Sequence, residues 1–476
     1  MTNSRNLLFV GADLSGIQRF LYNVTSYKAA VSLKGRSQYL VDYIDRLHDR
    51  VLSSATVHPF TGFGVQDGEV YHSGGKLYLV IEDTPEARST IEEIQREAEA
   101  ELWNKHHGLL GIILCCIPFS FDDESHVMFP DGSHNHLGML WHKASEAFAK
   151  GKARKFLEYA KDHFDGLFVP QPVSDKMRVC ALTGIESIDC VPLGDGDRYV
   201  LPSVMEQIDL GKQMQKEQGF RNFEEYAGDS WLGILRMDVD GLGSLFAEGF
   251  KSIVEYRHFS EQLQAFFNSR LSEIAALYAN DLTVLYSGGD DMFVVGRWDS
   301  VADFASEVRQ AFVSHINRPG ITISGGMVVV SSKFPIAKAA ELAGEAEEMA
   351  KRFHDGEKNA FCILGQCVSW DKEHDYVCNW RNRMEEMCSA GKLPRSILHR
   401  LMLFNDMRQR GEVSYLWNAA YYLSRFRKDK KSEEVTSFCD DVQREYFSAS
   451  DSSRKIELLA LAARWAELKM RNNHKQ

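Results

Sequence analysis

The chain has 476 residues, more than a single hydrophobic core usually supports, so we expect roughly two to four domains. Hydrophobic residues make up 44% of the sequence, which excludes a largely disordered protein. The formal net charge of −12 argues against a protein that coats bare nucleic acid unaided, although local basic faces can contact RNA inside a larger assembly.

The N-terminal region has no secretory leader pattern, and no apolar run reaches the roughly 20 residues that cross a bilayer. We therefore expect a cytoplasmic protein with no membrane partner. The nine cysteines are then expected to be reduced thiols. A structural zinc site needs four ligands, whereas Cys180 and Cys190 stand singly in "VCALTGIESIDC", so we expect no zinc there.

The first predicted elements are a strand in "FVGADLSGIQRFL" around Asp13, a helix, a hairpin in "VYHSGGKLYLVIE", a second helix and a further strand. Lys28, Lys34 and Arg36 follow the first strand. They either face phosphates or RNA, or form a solvated helix face. An α-rich segment comes next along the chain.

The second half repeats this order of elements. A strand in "LGILRMDV" and a helix in "HFSEQLQAFFNSRLSEIAALY" precede a hairpin in "LTVLYSGGDDMFVVG", which has glycine at its turn. A helix in "VADFASEVRQAFVSHI" and a strand in "ITISGGMVVV" follow, and Pro335 opens a further helix in "PIAKAAELAGEAEEMAKRF". From about Gln366 onward, helical periods predict a C-terminal bundle.

An internal repeat relates the two halves. Asp13 aligns with Asp238 at an offset of 225 residues, and Ser73 aligns with Ser287 at an offset of 214. This alignment puts Lys76 and Leu77 of the first copy in the places of Asp290 and Asp291. The order of elements matches a ferredoxin-like βαββαβ palm with an added helix, so we predict a duplicated domain whose first copy has lost most of its acids.

The predicted fold class is therefore α+β, with two ferredoxin-like palm domains, an α-rich subdomain between them and a C-terminal helical bundle. The predicted boundaries are 1–135 for a degenerate first palm, 136–229 for the inter-palm subdomain with Cys180 and Cys190, 230–365 for a catalytic second palm with a GGDD motif, and 366–476 for the helical domain.

The acids of the second copy are the candidate catalytic residues. In such a fold Asp238 at the strand end and Asp290 and Asp291 at the hairpin turn converge, with Asp240 beside them. Clustered carboxylates repel each other unless cations lie between them, and their hard oxygens suit Mg²⁺ or Mn²⁺. Two ions about 3.5–4 Å apart would activate a 3′-hydroxyl and stabilise a leaving pyrophosphate, which indicates nucleotidyl transfer. An ordinary acidic turn is the alternative, because turns favour Gly and Asp for backbone reasons.

Four further residues are candidates for phosphate binding. Gly241 and Gly243 lie at a helix start, where free N–H groups can hold triphosphate oxygens. Lys351 on a later helix could supply a cation, together with Lys358 in "DGEKN".

These stretches together resemble a known family. "DLSGIQRFLY", "KAAVSLKGRSQYLVDYI", "LRMDVDGLGSLF", "SGGDDMFVV" and "KFPIAKAAELAGEAEEMAKR" are similar to segments of the large, palm-bearing subunit of type III CRISPR effector complexes, the Csm/Cmr signalling polymerase. The resemblance covers nearly the whole chain.

The resemblance implies an antiviral signalling enzyme of the nucleotide-cyclase palm type. Two facing palms would bind two ATP molecules, and the second palm would join them into a cyclic oligoadenylate when the complex recognises target RNA. Asp238, Asp290 and Asp291 would be metal ligands, with Asp240 a weaker candidate. The partners would be other effector subunits, guide crRNA and target RNA. The nucleotide pockets would be lined by Ser73, Gly74 and Gly75 in the first palm and by Ser287, Gly288 and Gly289 in the second.

One departure from the family pattern concerns the N-terminal HD nuclease domain of many relatives. This sequence enters its first palm within about ten residues of Met1, so we expect no HD nuclease activity. The dipeptides His48-Asp49 and His354-Asp355 share only the residue types of an HD motif, because HD nuclease chemistry needs further His and Asp ligands.

Three alternatives remain open at the level of sequence. The same palm chemistry could join ATP to another acceptor such as S-adenosylmethionine. The palms could instead be silent, leaving a scaffold within the RNA complex. The third alternative is a stand-alone dinucleotide cyclase.

Overall fold

The computed structural model describes residues 5–25, 27–167, 175–194, 196–228, 230–430, 432–447 and 454–472. The chain divides into two compact units. The larger contains the described residues of Met1–Ala227, Leu232–Ile323 and Val330–Leu342, and the smaller those of Gly228–Trp231, Ser324–Val329 and Ala343–Gln476. Among the described residues, no helix has the length and apolar character needed to span a membrane.

The first palm is built on a six-stranded sheet in the order β2-β3-β1-β4-β5-β6. Its elements in chain order are β1 (Leu7–Ser15), α1 (Ile17–Tyr22), α2 (Ala29–Leu52), β2 (Glu69–Ser73), β3 (Lys76–Glu82), α3 (Pro85–His106), β4 (Gly111–Phe121), β5 (His126–Met128), β6 (His134–His136) and α4 (Met139–Ala153).

Short helices and two small two-stranded sheets follow the first palm. They are α5 (Leu157–Asp162), α6 (Phe164–Leu167), β7 (Arg178–Val179), β8 (Glu186–Ser187), β9 (Val191–Pro192), β10 (Tyr199–Val200), α7 (Pro202–Gln218) and α8 (Phe223–Ala227). The predicted domain boundary at residue 229 lies outside the described residues.

The second palm has a six-stranded sheet in the order β12-β13-β11-β14-β15-β16. Its elements are β11 (Leu232–Asp240), α9 (Leu242–Glu248), α10 (Ile253–Ala265), a π-helical segment (Phe266–Arg270), α11 (Leu271–Leu277), β12 (Leu282–Gly288), β13 (Asp291–Arg297), α12 (Trp298–Ile316), β14 (Thr322–Val330), α13 (Ile336–Gly356), β15 (Ala360–Ile363) and β16 (Gln366–Ser369).

The chain ends in a set of helices that belongs to the smaller unit. These are a second π-helical segment (Trp370–His374), α14 (Asp375–Ser389), α15 (Ser396–Gln409), α16 (Ser414–Lys430), α17 (Glu433–Phe447) and α18 (Lys455–Asn472). Their apolar faces bury Met384, Leu401, Phe438 and Trp465. The predicted α+β fold class with two palms and C-terminal helices is confirmed, while the four domain ranges stay predictions.

The two sheets match through their first four strands and then differ. In the first palm a turn leads directly from β4 into β5, and the two strands pair antiparallel. In the second palm α13 intervenes between β14 and β15, and these strands pair parallel. A parallel connection needs a crossover rather than a turn, so the added helix predicted from the sequence accounts for the difference.

The two palms share one hydrophobic core in the larger unit. Phe9 on β1 stacks on Tyr78 of β3 with ring centroids 5.3 Å apart, and its ring meets Trp141 of α4 edge-on at 5.2 Å. Trp141 in turn stacks on Tyr256 of α10 at 4.0 Å. Because α10 belongs to the second palm, the aromatic cluster joins the two copies of the repeat.

Arg36 on α2 is a structural residue, and both interpretations of it from the sequence were wrong. Its side chain is buried, and it donates hydrogen bonds to the carbonyl oxygens of Phe20 at 2.6 Å and Asn23 at 2.9 Å and to Oε1 of Gln207 at 2.9 Å. Burial lowers the pKa of Arg36 to about 10. The guanidinium therefore ties the end of α1 to α7.

We predict that Arg36→Met lowers the free energy of unfolding by about 2–3 kcal/mol, because it leaves buried carbonyl groups without a donor. Urea denaturation followed by tryptophan fluorescence measures the loss. Arg96→Met is the matched control, since Arg96 is exposed on α3 and its replacement should change stability by less than about 0.5 kcal/mol. Equal losses in the two variants would contradict the assignment.

Candidate active site

The three predicted catalytic aspartates meet at one edge of the second palm. The register of β11 and β13 pairs Asp238 directly with Asp291. The backbone N–H of Val239 donates to the carbonyl oxygen of Asp290 at 2.8 Å. Side chains directly opposite on antiparallel strands have Cβ atoms about 4.5–5.5 Å apart. The fold thus brings the half-buried acids to one place.

Asp240 lies two residues beyond Asp238, on the same face of β11. Its side chain is 2% exposed, and its Oδ2 accepts a hydrogen bond of 2.8 Å from the Thr322 hydroxyl. This bond links the end of β11 to the first residue of β14. Asp240 therefore has a structural role, and its role as a weaker metal ligand stays a prediction.

The register of the hairpins corrects the ungapped alignment of the repeat by one residue. β1 and β3 pair Asp13 with Lys76, in the way that Asp238 pairs with Asp291. Lys76 therefore matches Asp291, and Gly75 matches Asp290. Each hairpin closes with a two-residue turn and has a bulge in its first strand, near Val70 and near Leu285.

The corresponding acid of the first palm is paired with a lysine. Nζ of Lys152 on α4 lies 2.6 Å from Oδ2 of Asp13, whose side chain is buried. Lys76 stands directly opposite Asp13 in the register. The second palm has two aspartates opposite each other, whereas the first palm has an aspartate and lysines, so the two copies carry different charges at the same register position.

The two hairpin turns contact each other through glycine. A Cβ atom on Gly74, at φ 61°, would lie 2.6 Å from the carbonyl oxygen of Gly288. A Cβ on Gly289, at φ 68°, would lie 2.5 Å from the Tyr71 hydroxyl and 3.1 Å from Oγ of Ser73. Any side chain at either glycine would push the turns apart, so the contact depends on glycine in both palms.

Two tyrosines that sequence reasoning missed lie beside the acids. Burial raises the pKa of Tyr71, and the Asp290 carboxylate raises it further. Burial also raises the pKa of Tyr286, together with the charges of Asp291 and Asp290, and its hydroxyl donates a hydrogen bond to Asp291. Both phenols are therefore protonated donors at neutral pH. The ungapped alignment paired Tyr71 with Leu285, which hid their equivalent positions.

Ser287 lies on the wall of a cavity of about 530 Å³. Its hydroxyl donates to the carbonyl oxygen of Phe267 at 3.3 Å, within the π-helical segment that interrupts the predicted continuous helix. Nζ of Lys34 donates to the carbonyl oxygen of Val284 at 2.8 Å, and burial lowers the pKa of this lysine to about 8. Asn268 also lines the cavity. A π-helical turn beside a cavity is a common feature of functional sites.

Gly241 has a structural explanation that the first palm shares. It caps α9 at φ 82°, and a Cβ there would collide with the carbonyl oxygen of Gly320. Gly16 holds the same position before α1, at φ 93°, against the carbonyl oxygen of Leu109. Gly243 is exposed on the seven-residue α9. Phosphate binding by Gly241 and Gly243 stays a prediction.

Lys351 and Lys358 belong to the smaller unit. Nζ of Lys351 lies 2.9 Å from Oε1 of Glu347, one turn earlier on α13. Lys358 is exposed at φ 59°, between α13 and β15. Their role in nucleotide binding stays a prediction.

Cys180 and Cys190 are free thiols. Cys180 is buried, and Sγ of Cys190 donates to the carbonyl oxygen of Arg178 at 3.5 Å. In the part of the chain that the structure describes, the compact group of three metal-ligating side chains lies elsewhere, at His48, Glu69 and His72.

Comparison with known families gives two matches within the chain. The model of the Cas10/Cmr2 second palm domain matches residues 231–362, and the model of Csm1 subunit domain B matches residues 6–169.

Two curated relatives carry the name CRISPR system single-strand-specific deoxyribonuclease Cas10/Csm1 (subtype III-A). The protein from Enterococcus italicus is 25% identical over 525 residues, covering 95% of this chain and 65% of the relative. The protein from Mycobacterium tuberculosis is 26% identical over 517 residues, covering 89% of this chain and 62% of the relative. The chain thus spans slightly less than two thirds of the length of these relatives.

Solved structures show the same fold. A Csm1–Csm4 cassette in complex with cA4 superposes with a TM-score of 0.67 at 18% identity, covering 97% of this chain and 70% of that one. The cassette in complex with one ATP has a TM-score of 0.68 at 18% identity, with coverages of 97% and 70%. For Csm1 of T. onnurineus the TM-score is 0.63 at 18% identity, with coverages of 98% and 69%.

The duplicated sheets, the acids at the second hairpin and these matches at both ends of the repeat lead to one family. The chain is homologous to the Cas10/Csm1 proteins of type III CRISPR systems over both copies of the repeat.

Proposed function

We propose that this chain is a nucleotidyltransferase that converts ATP into a cyclic oligoadenylate in its second palm when target RNA is bound. The observation that carries the proposal is the register pairing of Asp238 with Asp291, next to the contact between the two glycine turns. Support also comes from related Csm1–Csm4 cassettes, which have been solved in complex with one ATP, with pppApApA and with cA4.

The residues at the second hairpin fit a site for two hard divalent cations. Asp238, Asp290 and Asp291 offer carboxylate oxygens, the ligands that Mg²⁺ and Mn²⁺ prefer, and Asp240 adds a weaker candidate. When bound, such ions would lower the pKa of an attacking 3′-hydroxyl and offset the charge on the leaving pyrophosphate. Tyr286 orients the Asp291 carboxylate through its hydroxyl, which stays protonated.

The two palms divide the work in this proposal. The glycine turns, at Ser73 to Gly75 and Ser287 to Gly289, line adjacent nucleotide pockets. Because Lys152 neutralises Asp13, the first palm holds its nucleotide without a metal ion of its own. The second palm supplies the catalytic acids. The product bond therefore forms on the side of Asp238.

The cavity next to Ser287 suits one nucleoside. Its volume of about 530 Å³ lies in the range of small-ligand pockets, roughly 300–1,000 Å³. Lys34, Asn268 and Ser287 supply polar groups, and Phe267 and Leu271 supply apolar ones. We assign this cavity to the nucleoside of the ATP bound by the second palm.

The proposed partners are a Csm4-like subunit, guide crRNA and target RNA, and the absence of HD nuclease activity stays a prediction. The partner subunit is taken from the Csm1–Csm4 cassettes. Transfer of ATP to another acceptor such as S-adenosylmethionine uses the same acids and differs only in the product.

The first prediction concerns the product. The full chain, assembled with its partner subunits and guide RNA and supplied with ATP and Mg²⁺, should release pyrophosphate and form cyclic oligoadenylates only when target RNA is added. Mass spectrometry of the products measures this. If pyrophosphate is released together with a different adenylylated product, the acceptor is a molecule other than ATP. If target RNA causes no release of pyrophosphate, the proposed function is contradicted.

The second prediction compares the two palms at the same register position. Asp238→Asn should lower the rate of pyrophosphate release by about 100-fold or more, a typical cost of losing one charge-stabilising group of a transition state. Asp13→Asn is the matched control and should stay close to the wild-type rate, since Lys152 already neutralises that carboxylate. Melting temperatures check that both variants fold. Equal losses of rate would show that the palms do not differ in the proposed way.

The third prediction concerns the contact between the glycine turns. Gly74→Ala should lower both the rate and the free energy of unfolding, the latter by about 1–3 kcal/mol, because its Cβ overlaps the Gly288 carbonyl. Gly166→Ala is the control, since a Cβ at Gly166 has no heavy atom within 4 Å. Enzyme assays and urea denaturation give the two readouts. A fully active Gly74→Ala enzyme would sink the idea that catalysis needs the turns in contact.

A further inference from the structure

A second group of metal-ligating side chains lies on the first palm, away from the aspartates. His48 projects from α2, while Glu69 and His72 project from β2, and one ligand atom of each lies within 4.8 Å of the others. Nε2 of His48 is 3.1 Å and Nδ1 of His72 is 3.8 Å from Oε2 of Glu69. The imidazole rings stack with centroids 4.8 Å apart. These separations match the edges of a small coordination polyhedron, about 3–4 Å for metal–ligand bonds near 2.1 Å.

The local fold explains how the three side chains converge. Val70 forms a bulge in β2, and an extra residue there turns Glu69 and His72 toward the same face although they are three residues apart. Asp45, His48 and Asp49 are three and four residues apart on one face of α2. The side chains of Glu69 and His72 on β2 therefore lie opposite the face of α2 that carries His48.

Each histidine also has a carboxylate at its second ring nitrogen. Nδ1 of His48 is hydrogen-bonded to Oδ1 of Asp49 at 3.1 Å. Nε2 of His72 lies 3.0 Å from Oδ1 of Asp45, an ion pair by distance rather than a directed hydrogen bond. A carboxylate behind a ligating imidazole fixes the tautomer and raises the basicity of the ligand nitrogen, as in zinc enzymes.

The histidines are shielded from solvent, although they lie near the surface. The side chains of His48 and His72 are 18% and 19% exposed, and their Nε2 atoms are buried. The Nε2 atom of His48 lies 3.1 Å from Oε2 of Glu69, so these two ligand atoms are within reach of a common point.

We propose that His48, Glu69 and His72 form a site for a divalent transition-metal ion of the Zn²⁺ class. Two imidazoles and a carboxylate suit Zn²⁺ better than Mg²⁺, and three protein ligands leave a fourth position for water. The second palm has Val284 and Ser287 in the places of Glu69 and His72, so the site belongs to the first palm alone. It does not depend on the proposed transferase activity.

The bound metal would stabilise the first palm near its contact with the second. It would clamp β2 to α2, one residue before Ser73 and the glycine turn. The carbonyl oxygen of His72 already accepts a hydrogen bond of 2.9 Å from Nε2 of Gln264 on α10 of the second palm. The clamp therefore holds the strand whose turn contacts the catalytic hairpin.

Metal binding by the full chain tests the proposal directly. The protein is stripped with a chelator and titrated with Zn²⁺ by calorimetry in excess Mg²⁺, and Co²⁺ is used as a spectroscopic substitute. We expect one Zn²⁺ per chain, a Co²⁺ spectrum of nitrogen and oxygen ligation, and a higher melting temperature with Zn²⁺. His48→Gln and His72→Gln should lose all three effects, whereas His58→Gln, at an exposed histidine of the same palm, should keep them.

Glu69→Gln serves as a second variant in case a histidine substitution impairs folding, and circular dichroism verifies the fold of each protein. Glu69→Gln should weaken Zn²⁺ binding by at least about tenfold, since it removes the anionic ligand. Zn²⁺ uptake that is equal in wild type and the His48 and His72 variants would overturn the proposal. Thiolate-to-Co²⁺ charge-transfer bands would do the same, because they would place the metal on cysteines.

Discussion

The contact between two hairpin turns is the constraint on which the proposed site depends. Gly74 and Gly289 approach the opposite turn so closely that neither position tolerates a Cβ atom. The sheet of each palm fixes the position of its hairpin turn, because β1 pairs with β3 and β11 pairs with β13 in equivalent registers. The aromatic core of Phe9, Trp141 and Tyr256 joins the two palms independently of the turns. The spacing between the two proposed nucleotide pockets is therefore set by backbone geometry rather than by flexible side chains.

The same fold carries opposite electrostatics in its two copies. Asp13 faces Lys76 in the register and pairs with Lys152, whereas Asp238 faces Asp291. The first palm shows that the hairpin folds without an acidic turn, so the acids of the second palm are not needed to make the turn. Placing carboxylates opposite each other in a half-buried position costs free energy unless a cation is bound. The charge difference, more than the fold, therefore supports a division between a binding palm and a catalytic palm.

Much of the architecture could be predicted from the sequence because it depends on local patterns. The repeat predicted two palms, and the position of Asp238 at a strand end with Asp290 and Asp291 at a turn predicted their convergence. What could not be predicted depends on single-residue irregularities and long-range packing. The bulges near Val70 and Leu285 shift the structural match by one residue, and an ungapped alignment cannot show this.

The other features that the sequence did not predict have the same physical origin. From the sequence alone Arg36 is expected to be a surface cation, but in the structure its side chain is covered by α7. The π-helical segment at Phe266 to Arg270 leaves the apolar periodicity of the helix almost unchanged. The sequence predicts no site at His48, because its partners Glu69 and His72 come together only through the bulge in β2. The roles of Lys351, Lys358, Gly241 and Gly243 stay predictions that nucleotide-bound structures can decide.

The measurement that tests the account most directly is anomalous diffraction from crystals of the full chain grown with Mn²⁺ and a non-hydrolysable ATP analogue. The account predicts Mn²⁺ peaks beside Asp238, Asp290 and Asp291 and none beside Asp13, where the lysine stands in for the metal. Equal peaks in the two palms, or no peak beside Asp238, would contradict it.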